Sequence, residues 1–251
     1  PLAAVITDPE KRHKYPINDF ALIPDYAVLD PKITLGLPPF ITATTGMDAL
    51  THAIESYIGQ TTTKLTQAMS EEAARLIVHN LPRAFADGTD LEARRAMLRA
   101  AYCAGVSFTR SYVGYVHGLA HSLGGQYGIP HGLANAVILP YFLEEYGPAC
   151  WEKLGKLAKA AGLAQEGDSA QQSALAFIAW IKEANRTMGI PETIAELRAE
   201  DIPAMARHAD QEGNPLYPVP VLMDAGEVEI MYEKIMEKKE GKADAGKDSE
   251  A

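Results

Sequence analysis

The chain has 251 residues, 47% of them apolar, and a formal net charge of −10. That length suffices for one large core, or for one domain and part of another; its Lys and Arg are scattered among more numerous acidic residues, which excludes a basic nucleic-acid surface. No apolar run reaches bilayer length, the first residues lack a signal peptide's basic start and long apolar middle, and Cys103 and Cys150 form no Cys-x-x-Cys pattern, so a cytoplasmic protein with buried thiols and no membrane or nucleic-acid partner is expected.

Residues 1–35 differ in character from the rest. Ala3-Ala-Val-Ile-Thr7 and Tyr26-Ala-Val-Leu-Asp30 are short apolar runs bounded by Asp and Pro, and they read as buried strands. His13 lies in the charged segment between them and reads as a solvated loop histidine. So few strands cannot make a stable sheet alone, and they are expected to be the last strands of a larger α/β domain whose earlier part is not in this chain.

From about Leu37 the period becomes helical. Thr45 is predicted to cap a helix running to Tyr57. Ser70–Leu81 follows, with Ala73, Leu76 and Ile77 on one side and Pro82 as its end. A helix from Asp90 or Leu91 places Leu91, Leu98, Ala101, Tyr102 and Gly105 on one stripe, with Arg94, Arg95 and Arg99 on its solvated side. Trp151–Ala161 stops at Gly162 and Ala174–Met188 at Gly189. Shorter helices are predicted for Glu192–Leu197 and Asp201–Ala209, and Asp224-Ala-Gly-Glu227 resembles a capping box before Val228, Met231, Tyr232 and Ile235. The polar tail, residues 238–251, has little to bury and is expected to be disordered. The expected fold is mainly α: a helical domain over residues 36–237 behind a short strand-rich segment.

The densest chemistry lies in His117-Gly-Leu-Ala-His121-Ser-Leu-Gly-Gly-Gln-Tyr-Gly-Ile-Pro-His131. His117 and His121 share one helix face, and Gly124, Gly125, Gly128 and Pro130 can fold the chain back toward them with His131. Upstream, Asp48 and His52 repeat the four-residue spacing. Two helix-borne pairs and a histidine after a turn suit a divalent metal. Taken alone, Asp48 reads equally well as a first-turn carboxylate of a helix begun by Thr45, with His52 a half-buried polar residue. Gly118 stands where a His-Glu-x-x-His metalloprotease has its general base, which argues against that type of hydrolysis. Nitrogen-rich ligation without thiolate suits Zn²⁺ or Fe²⁺, without choosing between them, and disfavours Mg²⁺ or Ca²⁺. Glu55, one turn beyond His52, reads as a solvated glutamate, with a role behind the metal ligands as the alternative. His79 and His208 read as ordinary surface or boundary residues.

Gly46-Met-Asp-Ala-Leu-Thr-His-Ala-Ile-Glu55 and the segment Gly114–Asn135 closely resemble the two signatures of the iron-containing (group III) alcohol dehydrogenases, within the dehydroquinate-synthase-like superfamily. The resemblance extends over nearly all of residues 1–237 and implies a metal held by Asp48, His52, His117 and His131. It implies a proton-transfer role for His121 near the nicotinamide and a substrate-pocket position for Phe108. It further implies that residues 1–35 are the remnant of a Rossmann-like cofactor domain, whose Gly-rich phosphate loop has no counterpart in this sequence. The implied reaction is oxidation of a small alcohol to an aldehyde or ketone by NAD(P)⁺, and its reverse, in the complete enzyme; the chain by itself is not expected to turn over the cofactor. The rivals are a polyol or glycerol dehydrogenase, a dehydroquinate-synthase-like lyase, and a non-catalytic metal-binding module. A homo-oligomer is the partner state that exposed strand edges would favour.

Overall fold

The computed structural model describes residues 3–10 and 12–237. The expected disordered tail, 238–251, lies outside the described residues. Two short strands, β1 (Ala3–Asp8) and β2 (His13–Asn18), pair antiparallel with Asp8 opposite His13, so His13 belongs to a strand and not to a loop. This hairpin is neither buried nor joined by a third strand among the described residues; Val5, Ile6 and Ile17 are exposed. The second predicted strand does not form. Residues 26–30 are irregular, with Tyr26 89% and Val28 91% exposed, and Pro24 and Pro31 flank them with no N–H to offer a ladder.

Nine helices follow among the described residues: α1 (Pro39–Ile58), α2 (Lys64–Ala86), α3 (Leu91–Ser111), α4 (Tyr115–Tyr127), α5 (His131–Tyr146), α6 (Pro148–Ala160), α7 (Ala170–Thr187), α8 (Ile202–Gly213) and α9 (Ala225–Ile235). The fold is thus mainly α, as expected. Its starts follow local chemistry. Capping boxes open α2 at Thr63 and Thr66, α7 at Ser169 and Gln172, and α9 at Asp224 and Glu227. Pro39 occupies the first turn of α1, where its missing N–H costs nothing. Thr45 is therefore no cap: it lies within α1 and its hydroxyl donates to Ile41 O at 2.7 Å. Pro82 sits inside α2 instead of ending it. Glu192–Leu197 is not helical; Ile194 instead bridges to Met236. None of these helices is long and apolar enough to cross a membrane.

Helix α1 packs on α2, α3, α5 and α6, while α4 lies against α5 and α8. Between α1, α2 and α3 the contact is made by small hydroxyls. Ser56, Ser70 and Ser107 bond one another at 2.8–3.1 Å in full burial, which satisfies polar groups without bulk and lets three backbones approach closely. The buried face of α3 is Ala93, Arg94, Ala100, Cys103, Ala104, Ser107 and Ser111. This corrects the predicted stripe: Ala101, Tyr102 and Gly105 lie off the core, and the small residues face inward.

Arg94 is likewise buried, at 3% exposure, and not on the solvated side. Its guanidinium donates to Gly88 O, Thr42 Oγ1 and Leu37 O at 2.9, 2.6 and 3.2 Å. It thereby ties α3 to the segment leading into α1. Arg94→Met would leave those acceptors without their donor, at an expected cost of about 2–4 kcal/mol. Urea denaturation checks this, and a cost below about 0.5 kcal/mol, ordinary for a surface change, would contradict it.

Candidate metal centre

Asp48, His52 and Glu55 succeed one another at four- and three-residue spacing, so they share one face of α1. Because α1 begins at Pro39, Asp48 lies in mid-helix and the first-turn capping role is ruled out. That face meets His117 of α4. His117 Nε2 lies 3.8 Å from Asp48 Oδ1, and His52 Nδ1 lies 4.0 Å from Asp48 Oδ2. The His52 and His117 rings are 4.2 Å apart. One ligand atom each from Asp48, His52 and His117 falls within 4.8 Å of the others.

Two observations fit this set to a cation. His117 Nε2 is buried with no hydrogen-bond partner among the described residues, a state that costs free energy unless something binds it. The imidazoles are also held neutral, as ligands must be. Burial, then the neighbouring His52, His131 and His121, hold His117 well below the usual histidine range. Burial lowers His52 against the pull of Asp48, and it lowers His131 to about 4.

His131 opens α5, just after Gly128 turns the chain with φ 71°. Its Nε2 is 3.5 Å from Asp48 Oδ1 and its ring 5.3 Å from that of His117. It borders the mutually close set without belonging to it. Asn135, one turn along α5, donates to Asp48 Oδ1 at 2.5 Å and lies 3.2 Å from His131 Nε2. Sequence reasoning gave Asn135 no role; its four-residue spacing from His131 was the available signal. Gly132 lets α5 reach α1 at all. A Cβ there would sit 2.5 Å from Thr44 O and 2.8 Å from Thr44 C.

Glu55 corrects another expectation. It is buried, not solvated. One carboxylate oxygen accepts the Val116 N–H at 2.9 Å and the other lies 2.6 Å from His117 Nδ1. Gly114, at the N-cap of α4, supplies no side chain, so Glu55 from α1 covers that helix end and orients His117 in one stroke. Burial pushes the Glu55 carboxyl up to about 8, against the downward pull of hydrogen bonds from Gly114, Val116 and His117. A Cβ on Gly114 would lie 2.6 Å from Glu55 Oε1, which explains the bare residue there.

His121 stands apart from the cation set. Its ring stacks on His131 with centroids 5.2 Å apart and 14° between planes. Its Nδ1 lies 2.7 Å from Glu212 Oε1 of α8, a partner with no local sequence signal. Phe108 of α3 stacks on His52 at 4.3 Å and also lines a cleft of about 940 Å³ with Phe20, Ile23 and Tyr102. A Cβ on Gly118, which stands in place of a protease glutamate, would lie 3.7 Å from Ala209 O of α8. His79 Nδ1 bonds Arg75 O and joins no cation group among the described residues.

The chain is 41% identical over 209 residues to alcohol dehydrogenase 4 of Saccharomyces cerevisiae, covering 82% of this chain and 53% of that protein. It is 40% identical over 212 residues to 1,3-propanediol dehydrogenase of Klebsiella pneumoniae, covering 84% and 55%. The chain therefore spans about half the length of the curated relatives it matches. Among solved structures, a 1,3-propanediol oxidoreductase superposes with a TM-score of 0.87 at 36% identity, over 93% of this chain and 62% of that one. The C-terminal model of the Fe-containing alcohol dehydrogenases matches residues 42–236. This match over most of the chain, on a mainly α scaffold, means that the protein belongs to the Fe-containing alcohol dehydrogenase family.

Proposed function

We propose that residues 36–237 form the metal-binding, catalytic domain of an NAD(P)-dependent alcohol dehydrogenase, and that residues 1–35 belong with its cofactor-binding part. The observation that carries this is the close set of Asp48, His52 and His117, together with the buried Nε2 of His117, which has no hydrogen-bond partner among the described residues. Asp48, His52, His117 and His131 would hold the ion, Fe²⁺ in keeping with the family and Zn²⁺ as the alternative. A bound divalent cation supplies Lewis acidity to the oxygen of an alcohol or carbonyl. When bound, NAD(P)⁺ would supply the hydride acceptor for oxidation of the alcohol carbon, and His121 Nε2 would take the hydroxyl proton. Phe108 holds the His52 ring from behind and forms one wall of the substrate cleft. Relatives named for methanol and for 1,3-propanediol support a small alcohol or its aldehyde as substrate. The free, buried Cys103 and Cys150 support a reducing compartment such as the cytoplasm.

Metal analysis of anaerobically prepared protein tests the reading. His117→Ala is expected to lose bound Fe²⁺ or Zn²⁺, while His121→Ala keeps it. Loss of metal in His121→Ala with retention in His117→Ala would reverse the assigned roles.

A further inference from the structure

Helix α4 carries two imidazoles one turn apart, and each has its Nδ1 against a buried carboxylate from a different helix. Glu55 of α1 serves His117 at 2.6 Å, and Glu212 of α8 serves His121 at 2.7 Å. The second pair has a third member. Tyr217 OH donates to the same Glu212 Oε1 at 2.5 Å. Burial and the adjacent Glu212 hold Tyr217 well above the usual phenol range, so it keeps its proton. Oε1 is therefore an acceptor, and His121 meets it as an Nδ1–H donor.

Glu212 is an expensive residue to place there for packing alone. Its side chain is 7% exposed, and its other oxygen, Oε2, is buried with no partner among the described residues. A leucine would fill that space without an unsatisfied oxygen. What the carboxylate does that leucine cannot is fix the ring of His121. With the proton on Nδ1, the imidazole lone pair lies on Nε2, the atom across the ring from Glu212.

We infer that Glu212, steadied by Tyr217, is the positioning residue that holds His121 as the Nδ1–H tautomer, leaving Nε2 free to exchange a proton with the substrate. The inference rests on the dehydrogenase reading for its purpose, but not for its geometry. It treats the two carboxylate–imidazole pairs as parallel devices: one presents a nitrogen lone pair to a cation, the other to a hydroxyl proton.

Long-range ¹H–¹⁵N spectra of the ¹⁵N-histidine-labelled chain, metal-free and loaded with Zn²⁺, test it. His121 is expected as the Nδ1–H tautomer in both states. Glu212→Leu should move it toward the Nε2–H form, while the His117 signals and the Zn²⁺ stoichiometry stay as in the parent. Glu212→Gln, which keeps an acceptor of similar shape, should retain Nδ1–H with a shifted proton signal, and it serves if the leucine variant does not fold. In a full-length dehydrogenase carrying these residues, Glu212→Leu is expected to lower kcat about 100-fold or more, with KM little changed and partial rescue by Gln. An Nε2–H tautomer in the parent chain overturns the inference, as does an unshifted His121 signal in both variants. A changed tautomer with unchanged kcat overturns its catalytic purpose. Failure of the parent chain to bind Zn²⁺ would instead strike the proposed metal site and leave the tautomer result standing.

Discussion

Gly132→Ala is expected to destabilise the chain by about 3 kcal/mol, at the upper end of what one surplus methyl costs in a packed interior, and to weaken metal binding about 10–100-fold. The added Cβ would meet Thr44 O at 2.5 Å and Thr44 C at 2.8 Å. Both are backbone atoms of α1, so no side chain can turn aside; the helices must move apart. Asp48 and His52 ride on α1, while His131 and Asn135 ride on the first turns of α5. A separation of about half an ångström or more, enough to bring the added Cβ to a tolerated distance from Thr44 O, acts directly on the 2.5 Å contact between Asn135 and Asp48 and on the 3.5 Å approach of His131. Gly105→Ala is the control. Nothing lies within 4 Å of its added Cβ, and removing a helix-interior glycine should stabilise by about 0.5–1 kcal/mol. Denaturation curves and chelator competition measure both quantities. Parental stability and affinity in Gly132→Ala would show that the two helices do not need this contact.

Glu55→Leu is expected to be as damaging by a different route. It removes the acceptor for His117 Nδ1 and for the Val116 N–H, both in a dry interior. Leaving two such donors unsatisfied costs about 2–5 kcal/mol, and the freed ring should lower metal affinity about 10–100-fold. Glu55→Gln retains one acceptor oxygen and should fall between parent and leucine variant in both measurements. Equal behaviour of the Gln and Leu variants would mean that Glu55 fills space without orienting His117.

The sequence carried the helices most clearly where caps and stops are local. Asp224 with Glu227, and Gly189 at the end of α7, are side-chain and backbone devices that work within a few residues. The paired spacings of Asp48 with His52 and of His117 with His121 were legible for the same reason, since a helix brings such residues onto one face. Partners across helices were not. Glu212 is separated from His121 by 91 positions, and no pattern in either segment links them. Glu55 was misread because a single glutamate on a helix is ordinarily solvated; its burial depends on α4 beginning against it. Arg94 was misread because its neighbours Arg95 and Arg99 are charged, while its acceptors are carbonyls and a hydroxyl with no charge signature. The Tyr26–Asp30 run has a strand's composition, but among the described residues no strand bonds it. The return of His131 was legible in the Gly and Pro residues of 124–130, and the turn at Gly128 leaves its Nε2 3.5 Å from Asp48 Oδ1.

Water touches the four candidate ligands unequally. The His117 side chain is 3% exposed, whereas that of His131 is 36% exposed. His131 is also the first residue of its helix, and its Nε2 neighbours Asn135 and Asp48; His117, in the first turn of α4, is gripped by the buried Glu55 carboxylate. An ion leaving this centre would shed the His131 nitrogen first and the His117 nitrogen last. Dissociation speed and binding strength are thereby entrusted to different side chains: substitutions around the 128–131 turn should change how fast a chelator strips the cation, whereas substitutions beneath His117 should change how much of it stays at equilibrium.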